Sequence, residues 1–419
     1  MVERKKRATS PAIADTAAPT LVDSVIVGGG PAGFFAALAL QSAGAKTAIV
    51  VGPARGGLDR RTTALLDGSV KALSTLGLWD KLSGYAAPLR VMRLIDDTGR
   101  LLRAPTLDCS SQEIDLDAFG YNIENGPLTE TLREAAGAAG VTVIDDAATG
   151  VVIDNDRVTV TVASGASIEA KLAVGADGRR SQVREAAGIG CAETHYPQVA
   201  VTSTVTHTRP HLDVSTEFHT PDGPFTLVPL PGLRSSIVCV VRPPEADRIS
   251  ALDDAAFSRE MERRAHSILG KMTVEAARGR VELGLITPHR FAAPRVALVG
   301  EAAHVIPPIG AQGLNLGLRD GAALADLVAD ALSRGEDVGG ASVTEPYDQA
   351  RRADILTRTI AVDTLNRSLL AGLLPADAAR GLGLFLMNRV GPVRRAFMRE
   401  GLQPSLGVPR LMRGERPAA

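Results

Sequence analysis

Cysteine is scarce in this 419-residue chain, and the three cysteines stand far apart. Cys109, Cys191 and Cys239 are odd in number and show no metal-ligand spacing, which excludes a disulfide framework and a cysteine-based zinc site. A reducing compartment is the simplest interpretation. We expect no other metal site, because the histidines and acids of residues 207–219 fall on mixed faces of a predicted β meander.

Aromatic residues are also scarce, at 3% of the sequence, and the formal net charge is only −1. So few rings argue against a platform that stacks single-stranded nucleic acid, and balanced charge gives no overall attraction to a polyanion. No run of about 18 apolar residues occurs, so no transmembrane helix is predicted. Residues 1–20 lack the apolar core of a secretory signal and are predicted to form a disordered tail.

Glycine, by contrast, is abundant, and three glycines form the first informative motif. Gly28, Gly30 and Gly33 have the G-x-G-x-x-G spacing between a predicted strand, 21–27, and a predicted helix, 31–43. There the first glycine permits a tight turn, the second lets the backbone approach a pyrophosphate, and the third allows close helix–strand packing. The motif predicts a dinucleotide site.

The chain following this motif offers weaker signals. The second strand, 46–51, runs into Gly52 and lacks the acidic residue that usually binds the ribose of a dinucleotide. Further along, Asp177 and Gly178 end another predicted buried strand, where aspartate orders a turn and glycine permits positive φ. Taken alone, that pair indicates only a strand–turn–helix junction.

Residues 296–317 carry the most informative motif. An apolar stretch typical of a buried strand leads into Gly300-Glu301-Ala302-Ala303-His304, Pro307-Pro308 and then Gly310-Ala311-Gln312-Gly313-Leu314-Asn315, where a helix pattern starts. Backbone N–H groups at a glycine-rich helix start can hold an anion or the polar edge of a flat ring. Together with the first glycine motif, this run indicates one cofactor held from both ends.

The remaining patterns predict how the chain is organised. Residues 61–83 show helical periodicity, whereas residues 85–107 and 191–286 are rich in strand patterns. The length suits two or three packed units. We therefore predict a β-rich region inserted into a discontinuous α/β domain.

The order of these motifs resembles that of the class A, single-component FAD-dependent aromatic monooxygenases. Four further stretches are similar to the ubiquinone-biosynthesis hydroxylase branch of that family: 61–65, 92–100, 223–230 and 392–402. The resemblance implies an α/β fold with a Rossmann-like FAD-binding domain of the p-hydroxybenzoate-hydroxylase type, an inserted β-sheet substrate domain and C-terminal helices. The implied bounds are 21–84, 108–190 and 287–345 for the FAD-binding domain, 85–107 and 191–286 for the substrate domain, and 346–419 for the helical region.

The resemblance also implies the cofactors, which are FAD, NAD(P)H or another electron donor, and O2. The residues implied to bind FAD are Gly28, Gly30, Gly33, Arg61, Asn125, Asp177, Gly178, Gly300, Glu301, Gly310, Gln312, Gly313, Leu314 and Asn315. Residue 301 is glutamate where the family has aspartate. A carboxylate for the ribityl chain is kept, one methylene further from the backbone.

Four residues are implied at the face of the flavin: His304, Pro307, Pro308 and Gly310. For His304, a structural or flavin-packing role is favoured over proton transfer. The two prolines fix a loop that in this family lies over the flavin face where oxygen reacts. Simple stiffening of the loop is the alternative.

The implied function is hydroxylation of the aromatic ring of a polyprenylated phenol in ubiquinone biosynthesis, through a flavin C4a-hydroperoxide. One alternative is a hydroxylase of a small soluble phenol such as a hydroxybenzoate, for which Arg234 and Arg242 are candidate anion clamps. Another is an FAD-retaining scaffold protein of a biosynthetic complex. Apolar residues at 225, 227, 228 and 230 either line the substrate pocket or pack the core of the sheet.

The implied partners are the polyprenylated phenol, other ubiquinone-biosynthesis proteins and a membrane surface, with no nucleic acid. We therefore expect a cytoplasmic protein that is peripheral to the inner membrane. Residues 382–402 mix apolar and arginine side chains, which suits a basic amphipathic surface. An internal helix that closes the domain is the alternative for this segment.

Overall fold

The structure is a computed structural model of the chain. It describes residues 20–53, 59, 61–99, 103, 105–275, 277–308, 310–370, 390–402 and 407–417. The predicted disordered tail, 1–20, lies outside these residues except for Thr20, which begins the first strand. No helix within the described ranges combines the length and the hydropathy of a bilayer-spanning segment.

The first sheet has eight strands around a parallel centre. Its strands are β1 (Thr20–Val27), β2 (Thr47–Val50), β8 (Thr142–Ile144), β9 (Ala148–Ile153), β10 (Val158–Val162), β11 (Ser167–Gly175), β18 (Ala292–Ala293) and β19 (Val296–Leu298). The order β18-β19-β11-β1-β2-β8 places β1 at the centre, parallel to both β2 and β11. The carboxyl ends of β1, β11 and β19 therefore lie at one edge, which is where the three predicted motifs begin.

Helices cover this sheet because its apolar strands must be buried on both faces. The helices associated with it are α1 (Pro31–Ser42), α2 (Asp67–Thr75), α3 (Trp79–Leu82), α4 (Asn125–Ala138), α5 (Gln182–Ala186), α8 (Gln312–Ser333) and α9 (Ala341–Leu370). Helix α1 is buried along most of its length and shares one hydrophobic core with the sheet and α8. The Tyr347 hydroxyl ties α9 to β19 by donating to the Leu298 carbonyl at 2.7 Å.

The second sheet also has eight strands and is mainly antiparallel. Its strands are β5 (Val91–Asp96), β6 (Leu107–Ser110), β12 (Cys191–His207), β13 (Val214–Thr220), β14 (Gly223–Leu230), β15 (Arg234–Val241), β16 (Met272–Val274) and β17 (Gly279–Pro288). Helices α6 (Pro243–Ser250) and α7 (Asp254–Arg264) cover one face. Phe225 and Leu227 pack on that covered face, so the core alternative is correct for both residues.

A third, three-stranded sheet lies between the two large ones and corrects one prediction. It contains β3 (Thr62–Leu66), β4 (Ala86–Pro88) and β7 (Gly120–Glu124). The helical prediction for residues 61–83 is therefore wrong at its start, because residues 62–66 pair with β7 and only Asp67 begins helix α2. Long-range strand pairing overrides the local periodicity here.

We propose the two large sheets as the centres of the two predicted domains. Strand β6 belongs to the second sheet although the predicted boundary falls at 107, and β4 belongs to the third sheet although the prediction gave it to the substrate domain. After α9 the structure describes α10 (Gly391–Leu402) and α11 (Arg410–Arg413). Residues 371–389 lie outside the described residues.

Candidate FAD site where two helices begin

The two predicted cofactor corners meet because α1 and α8 approach through small residues. A Cβ placed on Gly300 would lie 3.0 Å from the Cβ of Ala32, and one placed on Gly317 would lie 3.1 Å from the Cα of Gly300. Further along, a Cβ on Gly321 would lie 3.1 Å from the Cα of Ala36. Such contacts bring the amino-terminal ends of both helices to one cleft, where their N–H groups and dipoles favour an anionic or polar ligand.

The glycine motif after β1 has the geometry that its spacing predicts. A Cβ on Gly28 would lie 2.2 Å from the Ala176 carbonyl oxygen, and one on Gly33 would lie 2.0 Å from the Gly28 carbonyl oxygen. Both positions are closed to larger residues by backbone contact. At Gly30, by contrast, a Cβ would meet no atom within 4 Å. The open side of Gly30 leaves the room at the start of α1 that a pyrophosphate needs.

Asp177 lies beside this turn, since a Cβ on Gly28 would approach the Asp177 backbone nitrogen to 2.8 Å. Its Oδ2 atom accepts N–H groups of Gln182 at 2.7 Å and Val183 at 3.3 Å at the start of α5. Burial raises the pKa of Asp177 above its ordinary value, and hydrogen bonds from Ser181 and the backbone offset only part of this shift. Among the described residues, its buried Oδ1 atom has no hydrogen-bond partner, as expected of a group that faces a ligand site.

Arg61 and Asn125 meet at a carboxylate that the sequence did not reveal. Arg61 donates to Asp59 through Nε at 2.9 Å and Nη2 at 2.8 Å, and the Asn125 side chain donates to Asp59 Oδ2 at 3.0 Å. Burial raises the pKa of Asp59, but the hydrogen bonds from Arg61 and Asn125 outweigh it, and the pKa falls below its ordinary value. The sequence signal that could have identified Asp59 is its position two residues before Arg61.

Glu301 lies between two guanidinium groups at the mouth of the cleft. Its Oε1 atom is 4.0 Å from Nη1 of Arg61, and its Oε2 atom is 3.7 Å from Nε of Arg179. About half of the Glu301 side chain is exposed, at 49%. The carboxylate is thus accessible to a ligand. Arg179 was missed by the sequence reasoning, although it directly follows Gly178.

His304 is buried in the same turn and contacts a buried carboxylate. Its Nε2 atom lies 2.8 Å from Oδ2 of Asp320, which also accepts the backbone N–H of Gly300 at 2.9 Å. Burial raises the pKa of Asp320, but Arg351 and His304 outweigh that effect and lower the pKa below its ordinary value. The His304 side chain is 1% exposed. The structural or flavin-packing role of His304 stays a prediction, and the buried contact with Asp320 agrees with its structural form.

Asn315 fixes the first turn of α8 with every hydrogen-bonding atom of its side chain. Its Oδ1 atom accepts from the Leu66 backbone at 2.8 Å and from Ser69 Oγ at 2.7 Å. Its Nδ2 atom donates to the carbonyl oxygens of Ala64 at 2.7 Å and Ala311 at 2.6 Å. The Asn315 side chain is therefore fully hydrogen-bonded within the protein.

The residues before Asn315 form an open corner. Ala311 precedes α8 with φ of 54°, and a Cβ on Gly313 would meet no atom within 4 Å. The Gln312 side chain donates to the Gly310 carbonyl oxygen at 3.2 Å. The first turn of a helix leaves its N–H groups without intrahelical partners, so this corner can bind the polar edge of a ring.

The proline loop connects the cofactor cleft to the second sheet. Val305 exchanges two backbone hydrogen bonds of 3.0 Å with Ile286 of β17. Pro307, two residues later, is buried, whereas Pro308 is exposed. The loop therefore leaves the second sheet directly before it reaches the glycine-rich corner. No group of three or more side chains suited to a metal ion occurs among the described residues.

Comparisons with known proteins agree with this geometry. The chain matches the family described as FAD binding domain over residues 21–357. It is 36% identical to ubiquinone hydroxylase UbiL of Rhodospirillum rubrum, covering 95% of this chain and 94% of the relative. It is 30% identical to the Escherichia coli 3-demethoxyubiquinol 3-hydroxylase, covering 90% and 97%.

The fold is shared with solved structures. That of p-nitrophenol 4-monooxygenase PnpA from Pseudomonas putida covers 92% of this chain and 99% of its own with a TM-score of 0.75 at 21% identity. That of Klebsiella pneumoniae HpxO complexed with FAD and uric acid covers 92% and 98% with a TM-score of 0.73 at 20% identity. The chain belongs to the FAD-binding-domain family, and within it to the class A FAD-dependent monooxygenases of the ubiquinone-hydroxylase branch.

Proposed function

We propose that this enzyme hydroxylates the aromatic ring of a polyprenylated phenol in ubiquinone biosynthesis. Similarity along nearly the whole chain to proteins named as ubiquinone hydroxylases supports this substrate class. The observation that carries the proposal is the meeting of the corners at 28–33 and 300–315 in one cleft, bordered by a separate β-sheet. A cleft of this kind can hold a dinucleotide and present its ring to a second molecule.

The residues of the cleft fit FAD. When bound, FAD supplies electron transfer from NAD(P)H to O2 and delivery of one oxygen atom to the ring. The open backbone at Gly30 and the start of α1 would hold the pyrophosphate, and guanidinium N–H groups of Arg61 and Arg179 would act as further donors. Glu301 would accept hydrogen bonds from the ribityl hydroxyls. The N–H groups of the first turn of α8 would bind the polar edge of the ring.

The second sheet would hold the phenol and keep water away from the reacting atoms. The Asn122 side chain of β7 donates to the Pro229 carbonyl at 2.9 Å and to Ser236 Oγ at 3.2 Å. Val228 pairs with Ser236 across β14 and β15, so its side chain shares the face that looks toward the cofactor domain. This face is opposite the one that α6 and α7 cover. Excluding water there protects the activated oxygen from unproductive decay.

The alternative small anionic phenol would need a cation near the ring. Arg234 lies 2.8 Å from Glu275 and 3.3 Å from Glu124, and Arg242 lies 3.0 Å from Asp222. Both candidate clamps are thus neutralised by carboxylates. Their pairing favours the apolar, prenylated substrate over a hydroxybenzoate.

We further propose a cytoplasmic enzyme at the surface of the inner membrane, working beside other ubiquinone-biosynthesis proteins, because a polyprenylated phenol resides in the bilayer. In helix α10, Arg395 is exposed, whereas two other arginines have acidic partners. Arg394 lies 2.5 Å from Glu113, Arg399 lies 3.2 Å from Asp115, and Met398 is buried against the chain. Flotation with anionic vesicles tests the membrane contact. We expect the enzyme to rise with the vesicles at physiological salt.

Turnover with a defined substrate tests the proposed function. We expect the FAD-loaded enzyme, supplied with NAD(P)H and 18O2, to place one labelled oxygen on the ring of a phenol that carries a short prenyl chain. A matched assay uses 4-hydroxybenzoate, which lacks the chain. Labelled product from 4-hydroxybenzoate alone would overturn the substrate assignment, and NAD(P)H oxidation without labelled product from either would overturn the hydroxylase proposal.

A further inference from the structure

A buried cluster of five charged side chains lies behind the first turn of α8. Asp320 accepts from Arg351 Nε at 2.7 Å, and Arg351 reaches Asp354 through Nη1, also at 2.7 Å. Asp354 also contacts Arg319 Nε at 2.7 Å and Arg358 Nε at 2.9 Å. None of these side chains is more than 16% exposed. The cluster joins α8 to α9.

The cluster carries one surplus positive charge, because three guanidinium groups face two carboxylates. Burial raises the pKa of Asp354, but Arg351, Arg319 and Arg358 outweigh it and hold the pKa well below its ordinary value. Guanidinium groups remain protonated in proteins. All five side chains are therefore ionised at neutral pH, and the surplus is a fixed property of the cluster.

Arg358 is the arginine of the cluster that contacts the cofactor corner. Its Nη1 atom donates to Gln312 Oε1 at 3.0 Å, and the Gln312 amide in turn donates to the Gly310 carbonyl oxygen at 3.2 Å. Gln312 is the first residue of α8. The guanidinium of Arg358 therefore adds its charge to the positive end of the helix dipole.

We propose that Arg358 is a positioning residue of the FAD site. Through Gln312 it fixes the Gly310 carbonyl and holds positive charge behind the first turn of α8, and this charge favours reduced FAD over oxidised FAD. Hydride transfer from NAD(P)H brings two electrons and one proton, so the reduced cofactor gains one negative charge while the nicotinamide is oxidised. The inference rests on FAD binding and is independent of which phenol is the substrate.

Two substitutions at Arg358 distinguish the effect of its positive charge from the effect of its forked hydrogen bonds. Arg358→Gln removes the cation, and we expect it to weaken binding of reduced FAD relative to oxidised FAD about tenfold, which lowers the two-electron midpoint potential by about 30 mV. Arg358→Lys keeps the charge but lacks the fork that spans Asp354 and Gln312. We expect Arg358→Lys to recover most of the potential.

Gln312→Ala breaks the hydrogen bond to Gly310 and leaves the cation in place. We expect this variant to raise the FAD dissociation constant several-fold with little change in potential. Arg352→Gln serves as the matched control, because Arg352 lies on the same helix and forms an exposed pair with Asp348. The potential is measured by equilibration with a reference dye and the FAD affinity by flavin fluorescence, both without substrate.

The outcomes decide the proposal even if one variant folds poorly. An Arg358→Gln protein with the potential of the Arg352→Gln control would overturn the charge effect. If Arg358→Gln does not retain FAD, the proposal requires Arg358→Lys to restore FAD binding. Failure of Arg358→Lys to restore it would overturn the charge effect, and wild-type FAD affinity in Gln312→Ala would overturn the positioning role. Each result leaves the proposed substrate untouched, because no substrate is present.

Discussion

Gly300 packs directly on Ala32, so closely that a Cβ on Gly300 would lie 3.0 Å from the Cβ of Ala32. This contact joins the turn after β19 to the first turn of α1. In the sequence, all strands of the first sheet except β1 lie between these two turns. It makes one cleft out of two glycine motifs. The assignment of a single cofactor held from both ends depends on this contact.

Gly30→Val is expected to abolish FAD binding while leaving the fold intact. A Cβ at Gly30 meets no protein atom within 4 Å, so the added side chain would fill ligand space and disturb no packing. The measurement is FAD stoichiometry of the purified protein together with the melting temperature of the cofactor-free form. Gly137→Val, at another open position in α4, is the control and should retain FAD. Stoichiometric FAD in Gly30→Val would contradict the pyrophosphate site.

Glu301→Ala is expected to weaken FAD binding about tenfold, since a hydrogen bond to a charged group contributes roughly 1.5 kcal/mol. Its carboxylate faces the cleft between Arg61, which keeps its pair with Asp59, and Arg179. Fluorescence titration gives the affinity, and peroxide yield per NAD(P)H gives the coupling. The exposed Glu336, which lies beyond the carboxyl-terminal end of α8, offers a matched Glu→Ala control. Unchanged affinity and coupling would remove Glu301 from the site.

Asp320→Asn is expected to destabilise the folded protein by about 3–5 kcal/mol, because it leaves Arg351 buried without its ion-pair partner. It also weakens the hydrogen bonds that hold Gly300 and His304. Denaturant unfolding of the cofactor-free protein measures this loss. Asp330→Asn, in the same helix but 41% exposed, should cost far less. Equal losses in the two variants would mean that the buried cluster does not stabilise the fold.

Acid should destabilise the protein partly through Asp354. Its folded pKa lies well below the ordinary value of 3.8, so the folded state binds fewer protons than the unfolded state when the pH falls below about 4. The stabilisation is therefore complete above the unfolded pKa and is lost as the pH falls toward the folded pKa. Asp354→Asn should flatten the acid limb of unfolding free energy by up to about 1.4 kcal/mol per pH unit. An unchanged slope would show that Asp354 does not carry this dependence.

Prediction from sequence succeeded where local backbone chemistry sets the outcome. The turn at Gly28 depends on residues close in the chain, and so does the junction after β11, where the Ser181 hydroxyl accepts the Arg184 N–H at 3.0 Å. It failed at residues 62–66, whose periodicity is helical but whose partner strand, β7, begins more than fifty residues later. No local pattern contains that pairing.

The choice of sheet face was also beyond the sequence. Alternation along β14 shows that Phe225 and Leu227 share a face, but not that α6 and α7 cover it. In the same way, the arginines of residues 382–402 resemble a free basic surface, whereas Arg394 and Arg399 are paired with Glu113 and Asp115. The partners of these charges come from a distant part of the chain.

The amino-acid sequence by itself determined the glycines that admit a dinucleotide and the order of the motifs, because turns and helix starts are properties of neighbouring residues. Only the tertiary structure decided that these motifs share one cleft, that Asp59 and Arg179 join it, and that Arg358 stands behind it with a surplus charge. Such relationships arise from packing between residues remote in the chain. They become fixed only when the small residues of α1 and α8 let the two helices touch.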